Sequence, residues 1–279
     1  MRYSLTGGYQ SNGENGSGSD YCIKASDGYA ANKSAKREID QAMAGLLISP
    51  GHRRNILNKV HRKVNIGLAW DSYNFQIYQH FKGDYVEYDK LPVIENGRIS
   101  LEGIVKNGVE FGDERDLGIQ IYYDPPPSEL TRGQVSRTYC YDLGIQVAAL
   151  RPPLKRGWRY PQTAYPKTYN PCPDPHDVPA DAPPAQSHDE AHDLWQEAYD
   201  ASKSRKEQTI FVPWITASKL EVSDESFSVT ANINDVLKKY RRGGVYTILV
   251  WGDIDGERAV ISEYSIFHGI TPPDTYTPR

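Results

Sequence analysis

The stretch that most constrains the fold is SPGHRRNILN, which spans residues 49–58. The Pro50-Gly51 pair ends any helix before it, because proline lacks an amide hydrogen and glycine tolerates left-handed backbone angles. His52 follows at once, and histidine titrates near neutral pH and is the commonest metal ligand. The Ile56-Leu57 pair then supplies an apolar face about one helical turn later. The pattern therefore predicts a histidine that a turn and a short helix hold against packed structure.

The segments on either side of this stretch predict a small mixed unit. Residues 1–34 are rich in glycine, serine and asparagine, which predicts a loop that contains Gly13-Glu14-Asn15. Apolar residues at three- and four-residue spacing predict an amphipathic helix over 34–48. Two alternating runs, over 64–70 and 75–81, predict a β-hairpin.

Composition excludes some partners and leaves the redox compartment open. The net charge is −4 over 279 residues, which gives no reason to expect a nucleic-acid partner. No apolar run is long enough for a membrane span, and Met1 is not followed by the apolar segment of a secretion signal. Cys140 and Cys172 can pair across a proline-rich segment, which would leave Cys22 as a free thiol.

The rest of the chain is typical of an antiparallel β-rich domain. Short alternating runs with glycine and proline between them predict strands, and a capping box at 187–190 predicts a helix to about residue 203. We expect an α+β chain of four parts: 1–86, a β-rich part over 87–150, a proline-rich loop or linker over 151–186, and a helix with further strands over 187–279.

The run AMAGLLISPGHRRNIL, at 42–57, resembles the CAP superfamily, and its bacterial SCP-like branch most closely. That superfamily comprises cysteine-rich secretory proteins, antigen 5 and plant pathogenesis-related proteins. Three further pieces agree in order: 13–15 with the "GEN" element, 64–69 with the "VGIG"-type strand, and 78–81 with the "YWTQ.F" strand. The resemblance covers about residues 5–83 and implies a CAP-type α-β-α sandwich ahead of a mostly antiparallel β-sandwich-like domain.

The resemblance also implies a cleft with two histidines and two glutamates, able to bind a divalent cation such as zinc. By position, Glu14 is similar to the first glutamate and His52 to the second histidine, whereas Ala44 stands where the other glutamate is expected. The first histidine belongs to an N-terminal helix that this sequence lacks. We therefore expect a truncated CAP domain with one sheet face partly uncovered, whose secretion signal is lost with that helix. Zinc sites use three or four protein ligands, so Glu14 and His52 alone make an incomplete zinc site.

These features favour a binding module at the cell surface or outside the cell, rather than an enzyme. The family likeness implies a small apolar ligand, such as a sterol or fatty acid, or an extracellular protein as the partner. One alternative is a metal-dependent peptidase or esterase, with His52 and Glu14 as metal ligand and general base. Another is a structural or adhesive surface protein, in which the β-rich part makes the contacts.

Overall fold

The computed structural model describes residues 8–10, 12–20, 28–70, 74–111, 113–138, 143–204, 208–240 and 243–272. Within these ranges the chain is α+β and its sheets are mostly antiparallel, in agreement with the predicted class. In the same part of the chain, no helix combines the length and the apolar character needed to cross a bilayer.

The N-terminal unit is a three-stranded antiparallel sheet with two helices packed on one face. Its elements are β1 (Asn12–Asp20), α1 (Gly28–Ile48), α2 (Pro50–Leu57), β2 (Lys63–Trp70) and β3 (Asn74–Lys82). The strand order is β1-β3-β2, so β2 is an edge strand. The predicted hairpin of β2 and β3 is confirmed. A break between the two helices is also confirmed, but it lies at Ser49, because Pro50 and Gly51 begin α2 instead of forming a turn ahead of it.

The prediction of a loop over residues 1–34 is wrong for residues 12–20, which form a strand, and for residues 28–34, which are helical. The glycine-rich segment forms β1, which pairs residue by residue with β3 from Asn12–Lys82 to Asp20–Asn74. Glycine has a low intrinsic strand propensity, so this strand forms because β3 supplies its hydrogen-bond partners. The helix α1 also begins earlier than predicted, at Gly28, which places Ser34 inside the helix rather than at its N-terminus.

Two larger sheets follow the N-terminal unit. Their strands are β4 (Val86–Glu95), β5 (Arg98–Val105), β6 (Val109–Glu110), β7 (Gly118–Asp124), β8 (Ile145–Arg151), β9 (Ala164–Tyr169), β10 (Gln208–Thr216), β11 (Lys219–Val222), β12 (Ser226–Asn232), β13 (Gly244–Ile254) and β14 (Glu257–His268). The helices between them are α3 (Arg132–Arg137), α4 (His188–Ser204) and α5 (Asn234–Lys239). The smaller sheet has the order β11-β12-β5-β4, and the larger has the order β14-β13-β7-β8-β10-β9, with β6 paired to β13.

The two sheets share one apolar core, which makes them a β-sandwich. Leu101 of β5 and Phe227 of β12 are each 1% exposed and belong to the same buried cluster as Ile121 of β7 and Ile248 of β13. The register pairs β5 with β12, so the predicted parts 87–150 and 187–279 contribute to the same sheet. The proline-rich segment 151–186 is not entirely a loop, because it contains β9, which pairs with β10.

Polar contacts join the N-terminal unit to the sandwich. The side chain of Gln10 donates to the carbonyl of Val86 at 2.5 Å, at the start of β4. Asp84, in the connection between β3 and β4, pairs with Lys63 at 2.6 Å and with Lys106 at 3.0 Å. These lysines, Lys63 first, hold the pKa of Asp84 below its usual value. Strand β2 and the end of β5 are therefore tied to one carboxylate.

Cys172, in the proline-rich segment, is disulfide-bonded. The predicted partner, Cys140, and the predicted free thiol, Cys22, both lie outside the described residues. The pairing of Cys140 with Cys172 stays a prediction.

We expect Leu101→Ala to lower the free energy of unfolding by about 3 kcal/mol, because it leaves a cavity between the two sheets. Ile104 lies on the same strand but is 43% exposed, so Ile104→Ala is the matched control and should change stability much less. Urea denaturation followed by circular dichroism measures both. Equal losses in the two variants would contradict a shared core at Leu101.

Candidate functional site

Three of the four sequence pieces that resemble the CAP pattern meet around one buried asparagine. The side-chain nitrogen of Asn15 donates to the main-chain carbonyl of His52 at 3.0 Å and to the amide oxygen of Gln79 at 3.1 Å. The side-chain nitrogen of Asn55 donates to the amide oxygen of Asn15 at 2.9 Å and to the carbonyl of Glu14 at 3.0 Å. These bonds join helix α2 to β1, and Asn15 extends the network to Gln79 of β3.

Burial makes this network important for the stability of the unit. Asn15 is 1% exposed and Gln79 is 4% exposed. A polar atom without a hydrogen-bond partner at this depth would destabilise the folded state, because water could not replace the lost partner. The amide nitrogen of Gln79 also donates to the sulfur of Met43 in α1, at 3.2 Å. His52 enters the network through its main-chain carbonyl, not through its imidazole ring. In this arrangement the residues of the motif hold two helices on a sheet.

Glu14 points to the opposite face of the sheet. Successive side chains of a strand alternate, so the burial of Asn15 under the helices directs Glu14 away from them. The register pairs Glu14 with His80 of β3, and its carboxylate lies 3.0 Å from the Nε2 atom of that histidine. The structure therefore brings Glu14 to His80, whereas His52 belongs to α2, which packs against the other face of the sheet. Sequence reasoning missed this pair because it treated β1 as a loop.

The arrangement does not fit a zinc centre. Zinc in proteins takes three or four protein ligands, and among the described residues no three His, Cys, Asp or Glu side chains gather where they could hold a metal. Glu14 and His80 supply two donors, which bind each other and are 54% and 51% exposed. Ala44, in α1, adds no ligand. We therefore derive no chemical step through a metal here.

The edge strand β2 carries an uncovered row of apolar side chains. Its residues share a sheet face with buried β3 partners: Leu68 pairs with Ile77, and Trp70 with Phe75. The helices contact β1 and β3, and they leave this part of the face open. The exposed fractions along the row are 48% for Val64, 60% for Ile66, 43% for Leu68 and 68% for Trp70. A continuous apolar row on a sheet edge is a feature of interaction sites.

We expect Asn15→Ala to destabilise the N-terminal unit by about 2 kcal/mol, because the buried amide oxygen of Gln79 and the carbonyl of His52 lose the donor that Asn15 supplies. Hydrogen–deuterium exchange on peptides from β1 and β3 measures the change in local opening. Asn65, an exposed residue of β2, gives the matched control variant Asn65→Ala. Equal exchange in the two variants would show that the amide network does not hold the unit together.

Comparison with known proteins gives no family for the chain. No protein-family model matches it. A search of curated proteins found no significant match. Function is therefore inferred from the positions and chemistry of the side chains.

Proposed function

We propose that this chain is an extracellular binding protein of the CAP type, in which the N-terminal unit binds an apolar ligand and a β-sandwich follows it. The CAP assignment is supported by the way three of its four sequence pieces converge on Asn15. In this proposal the polar residues of those pieces stabilise the fold, and the exposed apolar row on β2 binds the ligand.

The observation that carries the proposal is the exposed row on β2. A strand rises about 3.3 Å per residue, so the row from Val64 to Trp70 is roughly 20 Å long. An extended acyl chain lying along it would cover side chains that water now contacts, and the removal of apolar area from water favours binding. We therefore take a fatty acid as the ligand class, among those that the family likeness implies.

The alternative function, a metal-dependent hydrolase, requires Glu14 and His52 to act together on a substrate. The carboxylate of Glu14 is instead bonded to His80, on the sheet face away from α2. A general base must lie within hydrogen-bond reach of the group that it serves. This geometry favours a binding module over the metal-dependent peptidase or esterase.

The extracellular part of the proposal is supported by the disulfide of Cys172. Structural disulfides form and persist in oxidising compartments and are rare in the reducing cytosol. A chain that uses one of its cysteines in this way is suited to a location outside the cell or at its surface.

The ligand proposal predicts saturable binding of a fluorescent fatty acid to the full chain. The double substitution Ile66→Lys with Leu68→Lys should weaken it roughly tenfold or more, because charged groups would interrupt the apolar row. A fluorescence titration measures both proteins. Ile104→Lys is the matched control, since Ile104 is a similarly exposed apolar residue on β5.

Two outcomes would count against this proposal. Unchanged fatty-acid affinity in the β2 double variant would show that the fatty acid does not bind at the apolar row. An esterase or peptidase activity that a chelator removes, and that fails in His52→Ala, would favour the hydrolase instead.

The location proposal predicts one free thiol per folded chain, because one disulfide uses two of the three cysteines. Titration with a thiol reagent should count one group before reduction and three after reduction and unfolding. If Cys140 is the partner of Cys172, Cys140→Ser will show two free thiols and Cys22→Ser none. Three free thiols in protein purified from an oxidising medium would contradict the disulfide.

A further inference from the structure

The β-sandwich has a groove on the face of the larger sheet that points away from the core. Its volume is about 590 Å³. Ile119 and Leu150 face the core, so alternation directs Gln120 of β7 and Ala149 of β8 outward, into the groove. The proline-rich segment supplies another wall with Tyr160, next to the sheet. The groove is far from β2 in sequence and uses none of the residues of the N-terminal unit.

The groove has aromatic sides and a floor of small residues. Trp251 of β13 pairs with Gly118 of β7, and Trp214 of β10 pairs with Ala149 of β8. The strand order β13-β7-β8-β10 places three strand spacings between the two tryptophan-bearing strands, a width of roughly 14 Å. Gly118 and Ala149 place no bulky side chain on the floor, and the guanidinium of Arg258 lies over Gly118. Such a trough has room for several small flat rings in a chain.

The polar side chains of the groove are cationic or neutral. Three arginines line it, and no Asp or Glu of the described residues does. Arg115, at one end, pairs with Asp113, an exposed neighbour. Within the described part of the chain, Arg151 and Arg258 donate to neutral oxygen atoms instead of carboxylates. A chain with a net charge of −4 thus concentrates positive charge at this place.

Two hydrogen bonds and one aromatic ring fix the guanidinium of Arg151 in position. Its Nε atom donates to the hydroxyl of Thr216 at 3.1 Å, and its Nη1 atom donates to the carbonyl of Gln162 at 2.6 Å. Its guanidinium carbon lies 3.9 Å from the centre of the Tyr160 ring. Burial lowers the pKa of this arginine, yet an arginine stays charged at neutral pH. A fixed guanidinium can bind a carboxylate with less loss of side-chain entropy than a free one.

We infer that this groove binds an acidic oligosaccharide, that is, a chain of sugar rings that carry carboxylates. Tryptophan and tyrosine rings offer flat apolar surfaces against which the C–H faces of sugar rings can pack. The side chain of Gln120 can donate to and accept from hydroxyl groups, and Arg151 and Arg258 match the carboxylates in charge and shape. Apolar walls with a few convergent polar groups are typical of ligand sites. This site is independent of the apolar row proposed on β2.

The test is isothermal titration calorimetry of the full chain with trigalacturonic acid. We expect saturable binding that weakens as salt is added, because exposed charge pairs are screened. A neutral galactose trisaccharide should bind roughly tenfold weaker, and Trp214→Ala and Arg151→Gln should each cost about tenfold in affinity for the acidic trisaccharide. Trp214→Phe, which keeps an aromatic ring, should retain most of the affinity.

Matched controls separate binding from folding. Trp158→Ala removes a tryptophan that is 74% exposed and does not line the groove, and Arg132→Gln removes an exposed arginine of α3. Both should bind like the wild type, and thermal melts should show that all variants fold. Absent binding of trigalacturonic acid, equal binding of the neutral sugar, or unchanged binding in a folded Trp214→Ala variant would overturn the inference. Tighter binding of an oligothymidylate would overturn the assignment to sugars.

Discussion

Burial of one apolar core between two sheets is the constraint on which most of this structure depends. Leu101 and Phe227 on the smaller sheet and Ile121 and Ile248 on the larger one belong to a single buried cluster. Side chains alternate along a strand, so the choice of the inner face also decides the outer one. The groove between Trp214 and Trp251 is thus a consequence of core packing, because Gly118 and Ala149 occupy outward positions. Groove and core therefore lie on opposite faces of the same strands.

The N-terminal unit is held together by different means. Its sheet has three strands, and the contact of its helices with that sheet includes a buried amide cluster at Asn15. Such a cluster is specific because every member needs its partners, and it stabilises one arrangement of α2 on β1. The same arrangement leaves β2 uncovered. A buried polar cluster at β1 and an exposed apolar row at β2 therefore lie at opposite edges of one small sheet.

Long periodic segments could be predicted from sequence, whereas strands that depend on partners could not. The hairpin of β2 and β3 was predictable because both runs alternate and a turn separates them. By contrast, β1 is rich in glycine and β9 lies in a proline-rich segment, so local propensity opposes both strands. They form because β3 and β10 offer free edges. Tertiary pairing overrides local propensity in both places.

The sequence alone determined the α+β class, the helix break directly before Pro50 and the resemblance carried by residues 42–57, because these depend on local composition and spacing. Only the tertiary structure decided which side chains meet. It placed Glu14 beside His80, since pairing between strands 66 residues apart in sequence sets that contact. It also gathered Arg151, Trp214 and Trp251 around one groove from three strands that are distant in sequence. Spacing along a chain cannot reveal such sets, because strand order and register arise only when the core is buried.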